Sequence, residues 1–406
     1  MGCLINHMNE AQTTDLPVDE MLLESARDLG PVIREHADQA ERDRRPAGAV
    51  MDGLREAGLQ RMFVARSLGG HEVDPVTYAR VAEVIAGFDS VAGWALQLGN
   101  HVAWWSARLP KAGVEAIYGN GPNVMIAGAF HPPLKAIEAE DGYRLTGRAP
   151  LASNIHDADW LLLSGIVMDG DQPRMSDGVP ELLQFIVSAS EVDILDTWHS
   201  LGMRGTDSND VTVDGVIVPT SRTFPLAPGF QPGPHFDGPL YRFPGMGAVA
   251  TIFTPVLLAI GRGVIEAFRD LALEKTPLGY TRKIRERTYV QAQLGQAEAM
   301  LRSARALFYE TISEAWERTL KDEPSTLERN AGLMMAGTHA GQTVAKVAEM
   351  LHGLAGTSGI YTGSRLERHF RDAHTLRHHG FVSANRFETV GQVRLGLEPE
   401  FALVRI

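Results

Sequence analysis

The sequence predicts a mainly α-helical protein with a β-domain in its middle, and three observations carry that prediction. Apolar residues up to about position 118 recur near the period of an amphipathic helix. Around Val124 the pattern changes to apolar–polar alternation about Asp-Gly pairs. Past a bend holding six prolines between Pro225 and Pro244, the chain returns to long Ala-rich helical stretches. These changes divide the chain into an N-terminal helical domain over 17–123, a middle β-domain over 124–235 and a C-terminal helical bundle over 236–406.

The first run, VDEMLLESARDLGPVIREHADQAERDRR, spaces Met21, Leu22, Ala26, Leu29 and Ile33 on one expected helical face. Pro46 to Gly58 reads as a second, short helix, with Pro46 suited to a first turn and Gly58 to a terminus. After the turn SLGGHEVD, a helix is expected over Pro75 to Phe88. Asp89 and Ser90 are caps for a further helix over Val91 to Arg108, which Pro110 ends. KAIEAEDGYRLTGRAPLAS alternates about Asp141-Gly142 as a hairpin does, and WLLLSGIVM and LLQFIVSA read as buried strands. NDVTVDGVIVP repeats the alternation with a second pair, Asp214-Gly215. Beyond the bend, helices are expected over Ala248 to Glu274, Arg285 to Lys321 and Leu327 to Leu354, as an antiparallel bundle.

Composition removes several function classes. Acidic residues outnumber basic ones, 50 against 38, for a formal charge of −12. That balance disfavours a nucleic-acid partner and an anionic membrane surface. The single cysteine, Cys3, permits no intrachain disulfide, so a reducing cytoplasmic location is expected. The start MGCLINHMNEAQTTDLP has neither the basic start nor the apolar run of a signal peptide, and uninterrupted apolar runs are too short for a membrane span. There is no Walker A loop and no Gly-x-Gly-x-x-Gly after a strand, so a nicotinamide-binding Rossmann unit is not expected.

Three local sequences carry a family resemblance. DGYRLTGRAPLASNIHDADWLLLSG and DTWHSLGMRGTDSNDVTVDGVIVP resemble the β-domain segments of the acyl-CoA dehydrogenase superfamily, and RLERHFRDAHTLRHHG resembles its C-terminal Arg-x-x-Arg-Asp segment. Together they run from Asp141 to Gly380 in the family's order. Acyl-CoA dehydrogenases place a catalytic Glu about eight residues after the Arg-Asp pair, as base for an α-proton. From Arg371-Asp372 that register reaches His379 and Gly380, and no carboxylate lies between Ala373 and Phe387. Arg-Asp-x-His-x-x-x-x-His is instead similar to the two-component flavin-dependent monooxygenases, which include hydroxyphenylacetate hydroxylase oxygenase components, steroid-degradation phenol hydroxylases and dibenzothiophene monooxygenase. GWALQLGNHVAWW adds the Gly-Trp pair that in those enzymes precedes a cavity histidine, here His101.

The resemblance implies an oxygenase that takes reduced FMN or FAD from a separate flavin reductase. It would react with O2 through a flavin C4a-hydroperoxide and hydroxylate an apolar, aromatic or heteroaromatic molecule. It implies His379, His101 and Ser153 as catalytic residues, with Ser153 beside the flavin N5 and His101 and Trp105 against substrate. Trp105 lies one helical turn from His101 and shares its face. Asn154 adjoins the flavin in this reading, Lys275 and Arg282 present cations to its phosphate, and Ser358 and Gly359 belong to a loop that approaches a neighbouring subunit's cofactor in a homotetramer. Bland alternatives stand beside these: a strand-end Ser153, a core His101, a surface His379 and a solvated RKIRER cluster. His374 and His378 stand four apart, but lack the Glu of a zincin signature, and no metal is expected. N- or S-oxygenation, and a dehydrogenase with a displaced base, are the alternatives within the fold.

Overall fold

The structure is a computed structural model that describes residues 18–406 except 177 and 227–230; Cys3 lies outside the described residues. The N-terminal helices are α1 (Glu20–Asp28), α2 (Gly30–Asp43), α3 (Gly48–Glu56), α4 (Pro75–Phe88), α5 (Ser90–Ser106) and α6 (Lys111–Tyr118). Asp19 caps α1 by accepting from the backbone N–H of Met21 and Leu22, and Asp74 caps α4 from Val76 and Thr77. The first helical run is divided rather than continuous. Pro31 has no N–H to give, so it sits in the opening turn of a new helix, α2. The division also turns Met21 outward, 76% exposed, and leaves Leu22, Leu23, Ala26 and Ile33 buried. Asp89 caps α5 as its sequence position suggests, and every residue of α5 from Ser90 to Ser106 is buried.

The middle of the chain forms β1 (Ile126–Ala139), β2 (Gly142–Ala152), β3 (Trp160–Asp169), β4 (Gln172–Pro173), β5 (Met175–Ser176), β6 (Val179–Pro180), β7 (Leu182–Ser188), β8 (Asp193–Leu195), β9 (Asn209–Pro219) and β10 (Thr223–Pro225). Eight of these build one sheet, with β10-β7-β3-β1-β2-β9-β8 in order and β4 paired to β3. β1 and β2 are the expected hairpin, with Ala139 opposite Gly142. β1 runs parallel to β3, a pairing that strand patterns do not encode. The second Asp-Gly pair makes no hairpin. Gly215, at φ 69°, is the extra residue of a bulge between Asp214 and Val216, opposite Leu145 and Thr146 on β2. Leu134, Leu145, Leu163, Phe185 and Val213 close this domain's own core.

The C-terminal part holds α7 (Gly245–Glu274), α8 (Thr288–Leu320), α9 (Leu327–Ala355), α10 (Arg365–Leu376) and α11 (Arg386–Arg394). α7 packs on α9 and also on α4 and α5, so the N-terminal and C-terminal helices share one apolar core. Among the described residues α7 is the one helix long and apolar enough to cross a membrane, yet 89% of its apolar window is buried inside the protein. It is the core helix.

Candidate active site

α5 positions the first group of site residues. His101 and Trp105 lie one turn apart, and the indole Nε1–H donates to His101 Nε2 at 2.7 Å. An imidazole that accepts at Nε2 carries its proton on Nδ1. Burial, and secondarily the nearby His379, lowers the His101 pKa to about 3, so the ring is neutral. Two turns earlier on α5, Trp94 donates its indole N–H to Ser153 Oγ at 3.0 Å.

His379 follows α10 and reaches the same place. Its ring centroid lies 4.2 Å from that of Phe253 on α7, 5.6 Å from Trp94 and 5.8 Å from Phe381. Burial among these rings lowers its pKa to about 4 although part of the residue stays accessible. Phe253 also stands 5.9 Å from His101, as does Phe130 of β1. The result is two neutral imidazoles in an aromatic surround built from α5, α7, β1 and the segment after α10.

Ser153 directly follows β2, where the backbone is strained. Leu151, Asn154, Met203 and Asp207 all take left-handed conformations, at φ 63°, 50°, 54° and 51°. Asn and Asp tolerate that region, whereas Leu and Met do so at a cost. The two strained segments are tied together: the Asn154 N–H donates to the Thr206 carbonyl at 2.8 Å. Ser153 Oγ lies 2.7 Å from Ser208 Oγ, which lies 2.7 Å from Thr206 Oγ1.

Arg371 and Asp372 hold this loop in place. Arg371 pairs with Glu367 at 2.6 Å and Glu41 at 2.8 Å and donates to the Leu201 carbonyl at 3.0 Å. Asp372 accepts from the Met203 N–H and from the Ser90 hydroxyl, both at 2.6 Å. Gly202 allows the approach, since a Cβ there would stand 2.4 Å from the Arg371 backbone. The Arg-Asp pair therefore acts as scaffold for the loop bearing Thr206 and Ser208 and for the start of α5.

The structure thus brings His101, Trp105, Ser153 and His379 into one connected cluster, with Asn154 next to Ser153. Lys275 and the Ser358–Gly359 segment form a second group: Lys275 Nζ donates to the Ala355 carbonyl, and His352 Nε2 lies 2.9 Å from the Gly359 carbonyl. Arg282 is exposed in the connection between α7 and α8. Sequence reasoning passed over Phe130, Phe253 and Phe381, which come from distant elements, and over Thr206 and Ser208. The latter two sit inside the quoted Gly-Met-Arg-Gly-Thr-x-Ser stretch, and Trp94 stands seven residues before His101 on one helical face. Those were the available signals.

Among the described residues no group of three His, Cys, Asp or Glu converges as a metal site would require. A cavity of about 580 Å³ lies elsewhere, lined by Arg108, Tyr241, Phe243, Asn330, Arg405 and Ile406. It meets the site only through Arg108, whose guanidinium stacks 4.6 Å from the Trp105 ring centroid. The residues present fit a flavin. Asn154 Oδ1 is buried with no partner, an acceptor beside Ser153 that a ring N–H would satisfy.

Comparison with known proteins agrees with this architecture. The N-terminal domain model of acyl-CoA dehydrogenases matches residues 17–116, and their C-terminal domain model matches 251–384. An indole-3-acetate monooxygenase from Pseudomonas putida is 30% identical over 383 residues, covering 94% of each chain. The oxygenase component of an FADH2-dependent resorcinol hydroxylase from a Rhizobium species is 25% identical over 391 residues, covering 92% of this chain and 93% of that one. The crystal structure of a 3-HSA hydroxylase from a Rhodococcus species superposes with a TM-score of 0.86 at 22% identity, covering 95% of this chain and 99% of that one. A dibenzothiophene monooxygenase from a Paenibacillus species, solved with FMN and indole, gives 0.76 at 23%, covering 92% and 97%. The chain belongs to the acyl-CoA dehydrogenase superfamily, in its branch of flavin-dependent monooxygenases.

Proposed function

We propose that this chain is the oxygenase component of a two-component monooxygenase, using reduced FMN or FAD delivered by a separate reductase to hydroxylate an aromatic or heteroaromatic molecule. The observation that carries this reading is the pair of neutral histidines, buried His101 and half-buried His379, set among Trp94, Trp105, Phe130, Phe253 and Phe381. An aromatic wall matches a flat apolar substrate, and its dryness keeps water from the reacting centre. The reduced flavin, when bound, supplies the electrons and the site of O2 activation. The relatives' names support an aromatic substrate and a reductase-fed flavin.

The chain's own residues then divide the work. Ser153 and Asn154 face the flavin ring. His101, with its proton on Nδ1, offers a donor to a polar substituent on the substrate, while Trp105 holds its other nitrogen. His379, a free base at neutral pH, accepts a hydrogen bond from the flavin or the substrate. Lys275, Arg282, Ser358 and Gly359 serve the flavin's phosphate, with four copies of the chain assembling so that the Ser358–Gly359 loop reaches a neighbour's cofactor. A single cysteine suits a reducing cytoplasm.

The test supplies a flavin reductase, nicotinamide cofactor, FMN or FAD and ¹⁸O2, with indole, indole-3-acetate and simple phenols as substrates. A product carrying one ¹⁸O atom is expected from the wild type, reduced at least tenfold relative to peroxide in His379→Ala. Stoichiometric peroxide with no labelled product from any of these aromatics overturns the reading.

A further inference from the structure

Ser153 does not stand alone. It is the second member of a buried chain that runs from the Trp94 indole through Ser153, Ser208 and Thr206 to the Met203 carbonyl, with links of 3.0, 2.7, 2.7 and 2.9 Å. Trp94, Ser153, Ser208, Thr206 and Met203 are each at most 8% exposed, so water competes little for these bonds. The ends of the chain differ in kind. An indole N–H can only donate, and a carbonyl can only accept. Each of the three hydroxyls between them has one proton.

We propose that Ser208 and Thr206 are positioning residues that turn the Ser153 proton inward, so that Ser153 offers the flavin an acceptor and not a donor. The inference rests on the reading that Ser153 faces the flavin N5. With every hydroxyl donating towards Met203, all four links are made. In the reverse sense Thr206 gives its proton to Ser208 and Ser208 gives its proton to Ser153, so the link from Thr206 to the carbonyl is lost. The Met203 carbonyl keeps the Thr206 N–H and the Trp198 indole N–H as donors in either case, both at 3.1 Å. The difference is therefore one hydrogen bond, and it favours the inward sense.

That polarity discriminates between flavin redox states. N5 bears a hydrogen in a reduced flavin and only a lone pair in an oxidised one. A Ser153 whose proton is committed to Ser208, and which already accepts from Trp94, has one lone pair left. It accepts from a reduced ring without cost. To bind an oxidised ring equally well it must donate, which costs the chain one of its four links. One net hydrogen bond corresponds to about a fivefold preference for the reduced form. This gives an oxygenase that must capture reduced flavin and discard the oxidised form a built-in bias.

The experiment measures dissociation constants for oxidised FMN and, anaerobically, for dithionite-reduced FMN, together with the midpoint potential of the bound flavin. Ser208→Ala frees the Ser153 proton. Oxidised FMN should then bind about fivefold more tightly relative to reduced FMN, with the potential moving negative; Thr206→Val should move both the same way, and Ser208→Thr, which keeps the hydroxyl, should restore the wild-type ratio. An unchanged ratio in both Ser208→Ala and Thr206→Val, while Ser153→Ala alters flavin affinity, overturns the relay but leaves Ser153 at the flavin. If Ser153→Ala leaves both dissociation constants unchanged, the placement of Ser153 itself is wrong. Thermal melts of the apoproteins establish that each variant is folded.

Discussion

At the scale of single residues, the His101–Trp105 bond shows how a helix sets the chemistry of an imidazole. The two side chains are four apart on α5, and 2.7 Å separates the indole nitrogen from His101 Nε2. With both groups buried, neither has water as an alternative partner. Trp105→Phe keeps a ring but removes the donor, leaving a buried acceptor unpaired. The expected cost is about 1–3 kcal/mol of folding stability, read as a lower urea midpoint with an unchanged slope. ¹⁵N NMR of the imidazoles should show His101 losing its fixed Nδ1–H tautomer in the variant. A His101 signal identical to wild type would mean that the indole does not set the tautomer. The sequence could show that His101 and Trp105 share a helical face, because four residues make about one turn. It could not show that Phe130 and Phe253 complete the surround, since those rings come from a strand and a helix over a hundred positions apart.

At the scale of elements, the site depends on how α5, α10 and the loop before β9 are fastened to one another, and acids do much of that fastening. Asp372 accepts from Ser90 and Met203, and Asp89 caps α5 by accepting from the Ala92 N–H at 3.2 Å. Burial, followed by the proximity of Asp372, raises the Asp89 pKa to about 7. In the unfolded chain this carboxyl titrates near 3.8, so between those values the folded state binds more protons and stability falls as pH rises. Asp89→Asn keeps an oxygen for the cap and removes the ionisation. Its stability relative to wild type should therefore climb from about pH 4 to pH 7 and then level off, by roughly 4 kcal/mol in all. Equal differences at pH 4.5 and pH 8 in chemical denaturation would show that Asp89 is not a strained acid. The cap itself was legible, because Asp before a helical run has one common use. The acid's partner was not, since Asp372 lies 283 positions away along the sequence. The second Asp-Gly pair shows the limit from the other side: the residues that make a hairpin at Gly142 make a bulge at Gly215, because β2 already runs past as a pairing partner.

At the scale of the whole molecule, large apolar side chains stand exposed on two segments that meet. Leu278 is fully exposed, and Tyr280, Tyr289, Ile360 and Tyr361 are each more than half exposed. They lie on two segments, the α7–α8 connection with the first turn of α8 and the stretch after α9, which are joined where Lys275 donates to the Ala355 carbonyl. Large apolar side chains gathered near one place on a surface mark an interaction face. The same two segments carry Lys275, Arg282, Ser358 and Gly359, so the apolar face and the proposed phosphate contacts are parts of one region. If four copies of the 44.3 kDa chain assemble through it, the flavin site is completed only in the assembly. Light scattering should then give a mass near four chains. The double substitution Ile360→Glu and Tyr361→Glu should split that species and weaken flavin binding at least tenfold, although neither side chain is part of the aromatic surround of His101 and His379. Two outcomes would count against this. A wild-type monomer with full flavin affinity removes the need for a partner, and a dissociated variant that binds flavin as well as the wild type separates the interface from the cofactor.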